Sequence, residues 1–115
     1  MRLRERLRHA LPTAMKARDR VAVNVLRSTL AAIENAEAVA PAETTGRAIE
    51  QAPLGVGAAE AERRVLSPAD ITRIVRGEIA SREEAAADYE RAGHADRAAR
   101  LRDEARLLEE FLTAS

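Results

Sequence analysis

Residues 67–89 read SPADITRIVRGEIASREEAAADY, and this stretch decides the fold class. Ser67, Pro68 and Asp70 mark a helix start, with a serine N-cap, a proline at the first helical position and an acid at the third. At about 100° per residue, the apolar side chains fall on one face. They are Ile71, Val75, Ala85, Ala86 and Tyr89. The pattern predicts an amphipathic helix that runs to about Ala92, where Gly93 supplies the left-handed residue that ends it.

Glu78 and Arg82 lie at the centre of this apolar face. A glutamate four residues before an arginine stabilises a helix by about 0.2–0.5 kcal/mol, but buried charges are costly unless they are paired. We therefore expect a structural ion-pair network of Glu78, Arg82 and Glu104 that holds the last two helices together. The alternative is an acid–base site, because carboxylates partly buried near each other acquire shifted pKa values.

The other apolar patterns are also helical. Leu101, Ala105, Leu108 and Leu112 predict a last helix from about Asp96, and the short turn at residues 93–95 makes residues 67–115 an antiparallel hairpin. A first hairpin is predicted in residues 1–38. Its first helix, residues 2–16, has Pro12 as an expected kink or restart, and its second opens at an Asp19 N-cap and ends near Ala38. The apolar stripe of the second helix is Val23, Leu26, Leu30 and Ile33.

Residues 39–66 contain prolines, glycines and threonines that interrupt any periodicity and predict a flexible linker. Apolar residues make up 46% of the chain, yet it has one Phe, one Tyr and no Trp, which favours helices over a sheet. The predicted fold is therefore all-α: two helical hairpins in a small four-helix arrangement with a long central loop, forming a single domain of 115 residues.

Several function classes are not supported by any motif. The chain has no cysteine, and His9 and His94 are far apart, so we expect no metal site and no cofactor. No serine has a triad-like context and no Gly-Lys-Ser/Thr follows the glycines at 55–57, so we expect no catalytic residues and no enzyme activity of the chain on its own. Without a signal peptide or a membrane span, a cytoplasmic protein with no membrane partner is expected.

Charge is distributed unevenly. Residues 1–27 carry a net charge of +6, whereas residues 34–62 carry −5. Lys16, Arg18, Arg20 and Arg27 cluster around the first predicted turn and form the candidate surface for a nucleic acid or an acidic partner. No aromatic side chain lies near them, so contacts to folded RNA by shape and charge are expected in place of base stacking. A solvated face without a ligand is the alternative.

The ordered residues resemble a known family. Met15-Lys16, Asp19, Leu26-Arg27 and Leu30-Ala31-Ala32-Ile33-Glu34-Asn35 are similar to the N-terminal signature of the GatB/YqeY family. The second half agrees at Ser67, Asp70-Ile71, Glu78, Arg82-Glu83-Glu84-Ala85, Tyr89, Ala92-Gly93, Asp96, Ala98, Leu101, Glu104 and Leu108. The resemblance covers nearly the whole chain except residues 40–62.

This resemblance implies an all-helical domain that occurs free-standing and in the tail of the tRNA-dependent amidotransferase B subunit, where it contacts tRNA. It implies a non-catalytic accessory of glutamine-dependent tRNA amidotransfer, with tRNA or amidotransferase subunits as partners. The family usually continues through a Tyr-Leu-Pro-like segment into a second helical module, whereas this chain reads Phe111-Leu112-Thr113-Ala114-Ser115. If that module makes the tRNA contacts, a helical module for protein–protein interaction or dimerisation is the alternative function.

Overall fold

A computed structural model describes the backbone of residues 1–51 and 64–114, and the side chains of residues 1–38 and 64–114. The described residues form an all-helical structure without strands, as the composition predicts. Its helices are α1 (Leu3–Lys16), α2 (Arg20–Gln51), α3 (Pro68–Arg91) and α4 (Ala95–Thr113). Helices α1 and α2 form one hairpin and α3 and α4 form the other, and α2 contacts all three remaining helices.

Both hairpin turns use the same backbone motif. The N–H of Asp19 donates to the carbonyl of Ala14 and the N–H of His94 donates to that of Tyr89, which are the six-residue bonds of a Schellman motif. The left-handed residue is Gly93, as predicted, with φ 86°, in the second turn. In the first turn it is Arg18, with φ 55°, a conformation that L-residues other than glycine, asparagine and aspartate rarely adopt. No sequence pattern predicted this conformation for Arg18.

The predicted helix starts are present. The Asp19 carboxylate accepts a bond from the N–H of Ala22 at 3.1 Å, and so caps α2. At the start of α3, the Ser67 hydroxyl accepts from the N–H of Asp70, while the Asp70 carboxylate accepts from the N–H of Ser67. This reciprocal capping box fixes the first residue of α3.

The expected restart at Pro12 is wrong, because α1 is one continuous helix through that residue. Pro12 removes the hydrogen bond to the carbonyl of Arg8, and both residues are on the exposed side of α1. A carbonyl on that side remains accessible to water, so the helix does not have to end.

Helix α2 also continues to Gln51, beyond the end predicted near Ala38. Seven of the thirteen residues 39–51 are Ala, Glu, Arg or Gln, which are strong helix formers, and their combined preference opposes that of Pro41 and Gly46. The remainder of the predicted linker falls in two parts. Residues 52–63 lie outside the described residues, and Leu66 packs against the core.

The core lies between the two hairpins, where all four helices contribute. Its buried members are Leu7, Ala14, Ala22, Val25, Leu26, Ile33, Ile71, Val75, Ile79, Ala105 and Leu108. The buried face of α2 is wider than the predicted stripe and also includes Ala22, Val25 and Thr29, while Val23 and Leu30 are only partly buried. The face is wider because α2 contacts α1 on one side and α3 and α4 on the other.

Candidate functional site

Four exposed cations surround the turn between α1 and α2, and we call this surface the basic turn. Lys16 ends α1, Arg18 is the left-handed turn residue, Arg20 begins α2, and Arg27 lies two turns farther along α2. These are the four residues that the sequence singled out as candidates, and the fold leaves all of them exposed.

The basic turn is one continuous surface. Arg20, Asn24 and Arg27 are spaced i, i+4, i+7 and therefore share one face of α2. A shallow cleft of about 440 Å³ is lined by Arg18, Arg20, Val23 and Asn24. At its other side, Nη2 of Arg27 lies 4.0 Å from Sδ of Met15, the residue before Lys16.

The charges of the basic turn are not neutralised within the described part of the chain. Lys16, Arg18 and Arg20 make no ion pair with the described residues, and the Arg27 guanidinium meets only the Met15 sulfur. Four cations without counterions on one surface create a positive potential that attracts polyanions. Because the Schellman turn and the Asp19 cap hold the backbone, the cations are already positioned before a ligand arrives.

Arg82 is the centre of the predicted ion-pair network. Its Nε donates to Oε1 of Glu104 at 2.8 Å, and its Nη1 donates to Oε1 of Glu78 at 2.9 Å. A further contact was not foreseen: Nη2 of Arg82 donates to the Ser28 hydroxyl, which belongs to α2. The guanidinium therefore joins three helices, with only 12% of its side chain exposed.

The arrangement around Arg82 has the geometry of a brace. Both carboxylates accept hydrogen bonds from the same cation, and the Ser28 hydroxyl donates to the carbonyl of Val25. No histidine or lysine contacts that hydroxyl among the described residues, so it has no base to activate it as a nucleophile. The acid–base alternative therefore has no supporting geometry in this part of the chain.

Two further arginines tie α1 to the other helices, and sequence reasoning missed both. Arg4 binds Glu37 of α2 through two parallel bonds of 2.6 and 2.8 Å. The hydrogen bond from Glu37 is the main cause that raises the pKa of Arg4, against the opposing effect of burial. Arg6 donates to the carbonyl of Phe111 near the end of α4 at 2.8 Å. These partners are separated by 33 and 105 positions, so no local pattern could have revealed them.

The largest cavity in the described structure was also not predicted. It has a volume of about 610 Å³ and lies where the N-terminal ends of α1 and α3 meet the C-terminal end of α4. Its apolar wall comprises Leu3, Leu66, Ile71 and Leu112, and three exposed arginines line it as well. These are Arg2, Arg8 and Arg76. We call this cavity the N-terminal cleft; the unequal charge of residues 1–27 was the one sequence signal that pointed toward it.

Within the described ranges, no group of three or more His, Cys, Asp or Glu residues is placed to hold a metal ion. None of the helices there is both long enough and apolar enough to cross a membrane. Comparison of the chain with protein-family models, with curated proteins and with solved structures finds no match in any of the three.

Proposed function

We propose that this protein is a non-catalytic accessory that binds tRNA through the basic turn, in association with glutamine-dependent tRNA amidotransfer. The observation that supports the proposal most directly is the set of four exposed cations, without counterions among the described residues, on one pre-positioned surface. The link to amidotransfer rests on the resemblance of the ordered residues to the GatB/YqeY family.

The chemistry of the basic turn suits a folded RNA. Its ligand-facing groups are an ammonium and guanidinium groups, which contact phosphates and contribute affinity without reading bases. Neither aromatic residue of the chain, Tyr89 or Phe111, lies on this surface, so unstacked bases find no platform there. Recognition would depend on the spacing of phosphates along the RNA and on its shape.

A titration of the protein with tRNA tests the proposal. Binding should weaken steeply between about 50 and 200 mM salt, because each phosphate contact releases counterions. The double variant Lys16→Glu/Arg20→Glu should reduce affinity at least tenfold and lower the salt slope by about 1 per lost contact.

The control is Arg2→Glu/Arg76→Glu, which changes the net charge by the same amount in the N-terminal cleft and should bind tRNA nearly as well as the natural chain. Absence of tRNA binding even at low salt would overturn the proposal. An equal loss of affinity in the two double variants would also overturn it, because attraction would then depend on total charge and not on the basic turn.

A further inference from the structure

We propose that the N-terminal cleft binds an acidic segment of a partner protein that has apolar residues to anchor it. This site is separate from the basic turn, and the inference does not depend on RNA binding. It rests on the charges around the cleft, on the apolar wall inside it and on its continuation between α3 and α4.

The cleft has excess positive charge. Arg4 and Arg6 are engaged with Glu37 and with the Phe111 carbonyl, but Arg2, Arg8 and Arg76 make no ion pair or hydrogen bond through their side chains with the described residues. Glu5 is the only acidic residue among the described residues that line the cavity. Free guanidinium groups bind carboxylates through paired hydrogen bonds, so the complementary ligand is acidic.

The interior of the cleft is aliphatic. Leu3, Leu66 and Leu112 are partly buried and surround the more deeply buried Ile71, so an apolar side chain entering the cleft would displace water from all of them. No aromatic side chain is present among the described lining residues, which makes the cleft a poor site for a nucleic-acid base. An acidic peptide with leucine-like anchors matches both the rim and the interior.

The cleft also continues beyond the dimensions of a small ligand. A second cavity of about 230 Å³ shares Arg76 and Leu112 with it and adds Ile79 and Thr113 on the surface between α3 and α4. The two cavities together form an elongated groove with arginine at the junction. This shape favours a chain segment over a compact small molecule.

The groove and the basic turn are at opposite ends of α1. At about 1.5 Å of rise per residue, the fourteen residues of that helix separate Arg2 from Lys16 by about 20 Å. A polyanion on the basic turn would therefore leave the groove accessible to a protein partner.

A labelled acidic decapeptide, DELLEELLDE, is the probe. We expect saturable binding by fluorescence anisotropy that weakens at least tenfold for the neutral peptide NQLLQQLLNQ and for the non-anchored peptide DESSEESSDE. The variant Arg2→Glu/Arg76→Glu should lose at least tenfold in affinity, whereas Lys16→Glu/Arg20→Glu should match the natural chain. Circular dichroism checks that both variants keep their helix content, as expected for residues without internal partners.

Amide chemical shifts of ¹⁵N-labelled protein locate the bound peptide. Binding in the groove should shift residues 1–8, 66–79 and 112–113. The proposal is overturned if DELLEELLDE does not bind, if either control peptide binds equally well, or if the shifts concentrate at residues 16–27. If tRNA affinity is lost in Arg2→Glu/Arg76→Glu and retained in Lys16→Glu/Arg20→Glu, the groove is an RNA site and both assignments are wrong.

Discussion

Nε of Arg82 lies 2.8 Å from Oε1 of Glu104, and the same guanidinium binds Glu78 and Ser28 through its other nitrogens. One side chain of α3 thereby connects α2 and α4, which belong to different hairpins. Its carboxylate partners are mostly buried, with 26% of the Glu78 side chain and 14% of the Glu104 side chain exposed. Removal of the cation would leave two carboxylates poorly hydrated and close together.

The first prediction concerns Arg82→Met, which keeps an apolar stem but removes the guanidinium. We expect a loss of about 2–4 kcal/mol in the free energy of unfolding, because unpaired carboxylates remain in a partly buried position. Urea denaturation measures it. Arg106→Met is the matched control: it breaks an exposed ion pair with Asp103 and should cost less than about 1 kcal/mol. Equal costs for the two variants would show that the Arg82 network is not a brace.

The second prediction concerns the left-handed turn residues. Because Arg18 adopts φ 55° at a helix C-terminus, Arg18→Gly should stabilise the protein by about 0.5–1 kcal/mol. Gly93→Ala should destabilise it by about 1 kcal/mol, since its φ is 86°. Thermal unfolding of both variants measures the effects. Arg18→Ala serves as the control for lost charge, and a gain in stability there equal to that of Arg18→Gly would mean that backbone conformation is not the cause.

The third prediction concerns the pair of Arg4 and Glu37, which joins the beginning of α1 to α2. Arg4→Met removes both hydrogen bonds and should lower the free energy of unfolding by about 1–3 kcal/mol. Arg8→Met, on the same helix but exposed and without a partner among the described residues, should change it by less than about 0.5 kcal/mol. Chemical denaturation of the two variants provides the comparison. Similar values for both would contradict a stabilising role for the pair.

The fourth prediction concerns acid. Hydrogen bonds from Ser67 hold the pKa of Asp70 below its ordinary value of 3.8, and the hydrogen bond from Arg102 holds the pKa of Glu90 below 4.5. A depressed pKa in the folded state contributes stability above the unfolded pKa, and this contribution is lost as pH falls through the folded pKa. Melting temperature should therefore decrease from about pH 5 downward.

Two variants test the origin of that decrease. Asp70→Asn and Glu90→Gln should each flatten the acid limb of the plot of melting temperature against pH. Glu83→Gln, an exposed carboxylate without a partner among the described residues, should leave the limb unchanged. An acid limb of the same steepness in all three variants would remove Asp70 and Glu90 as its source.

Much of the local structure was predictable. The Ser67 capping box, the Asp19 cap and the Gly93 turn each depend on neighbours within five positions, so their signals are contiguous in the sequence. The pairing of Glu78 with Arg82 follows from the same i, i+4 geometry. The left-handed Arg18 escaped prediction because its side chain gives no signal for that conformation. It adopts φ 55° because the Schellman turn and the Asp19 cap require it of whichever residue stands there.

The sequence by itself determined the helical class, the helix starts and the location of the first turn with its four cations, since helix propensity, capping and periodicity act over short distances. The tertiary structure alone decided that Arg82 reaches Ser28, that Arg4 finds Glu37, and that the ends of α1, α3 and α4 enclose an arginine-lined groove. Those contacts depend on how helices far apart in the chain pack against one another. That packing is set by the summed burial of side chains from all four helices, which no local window of sequence contains.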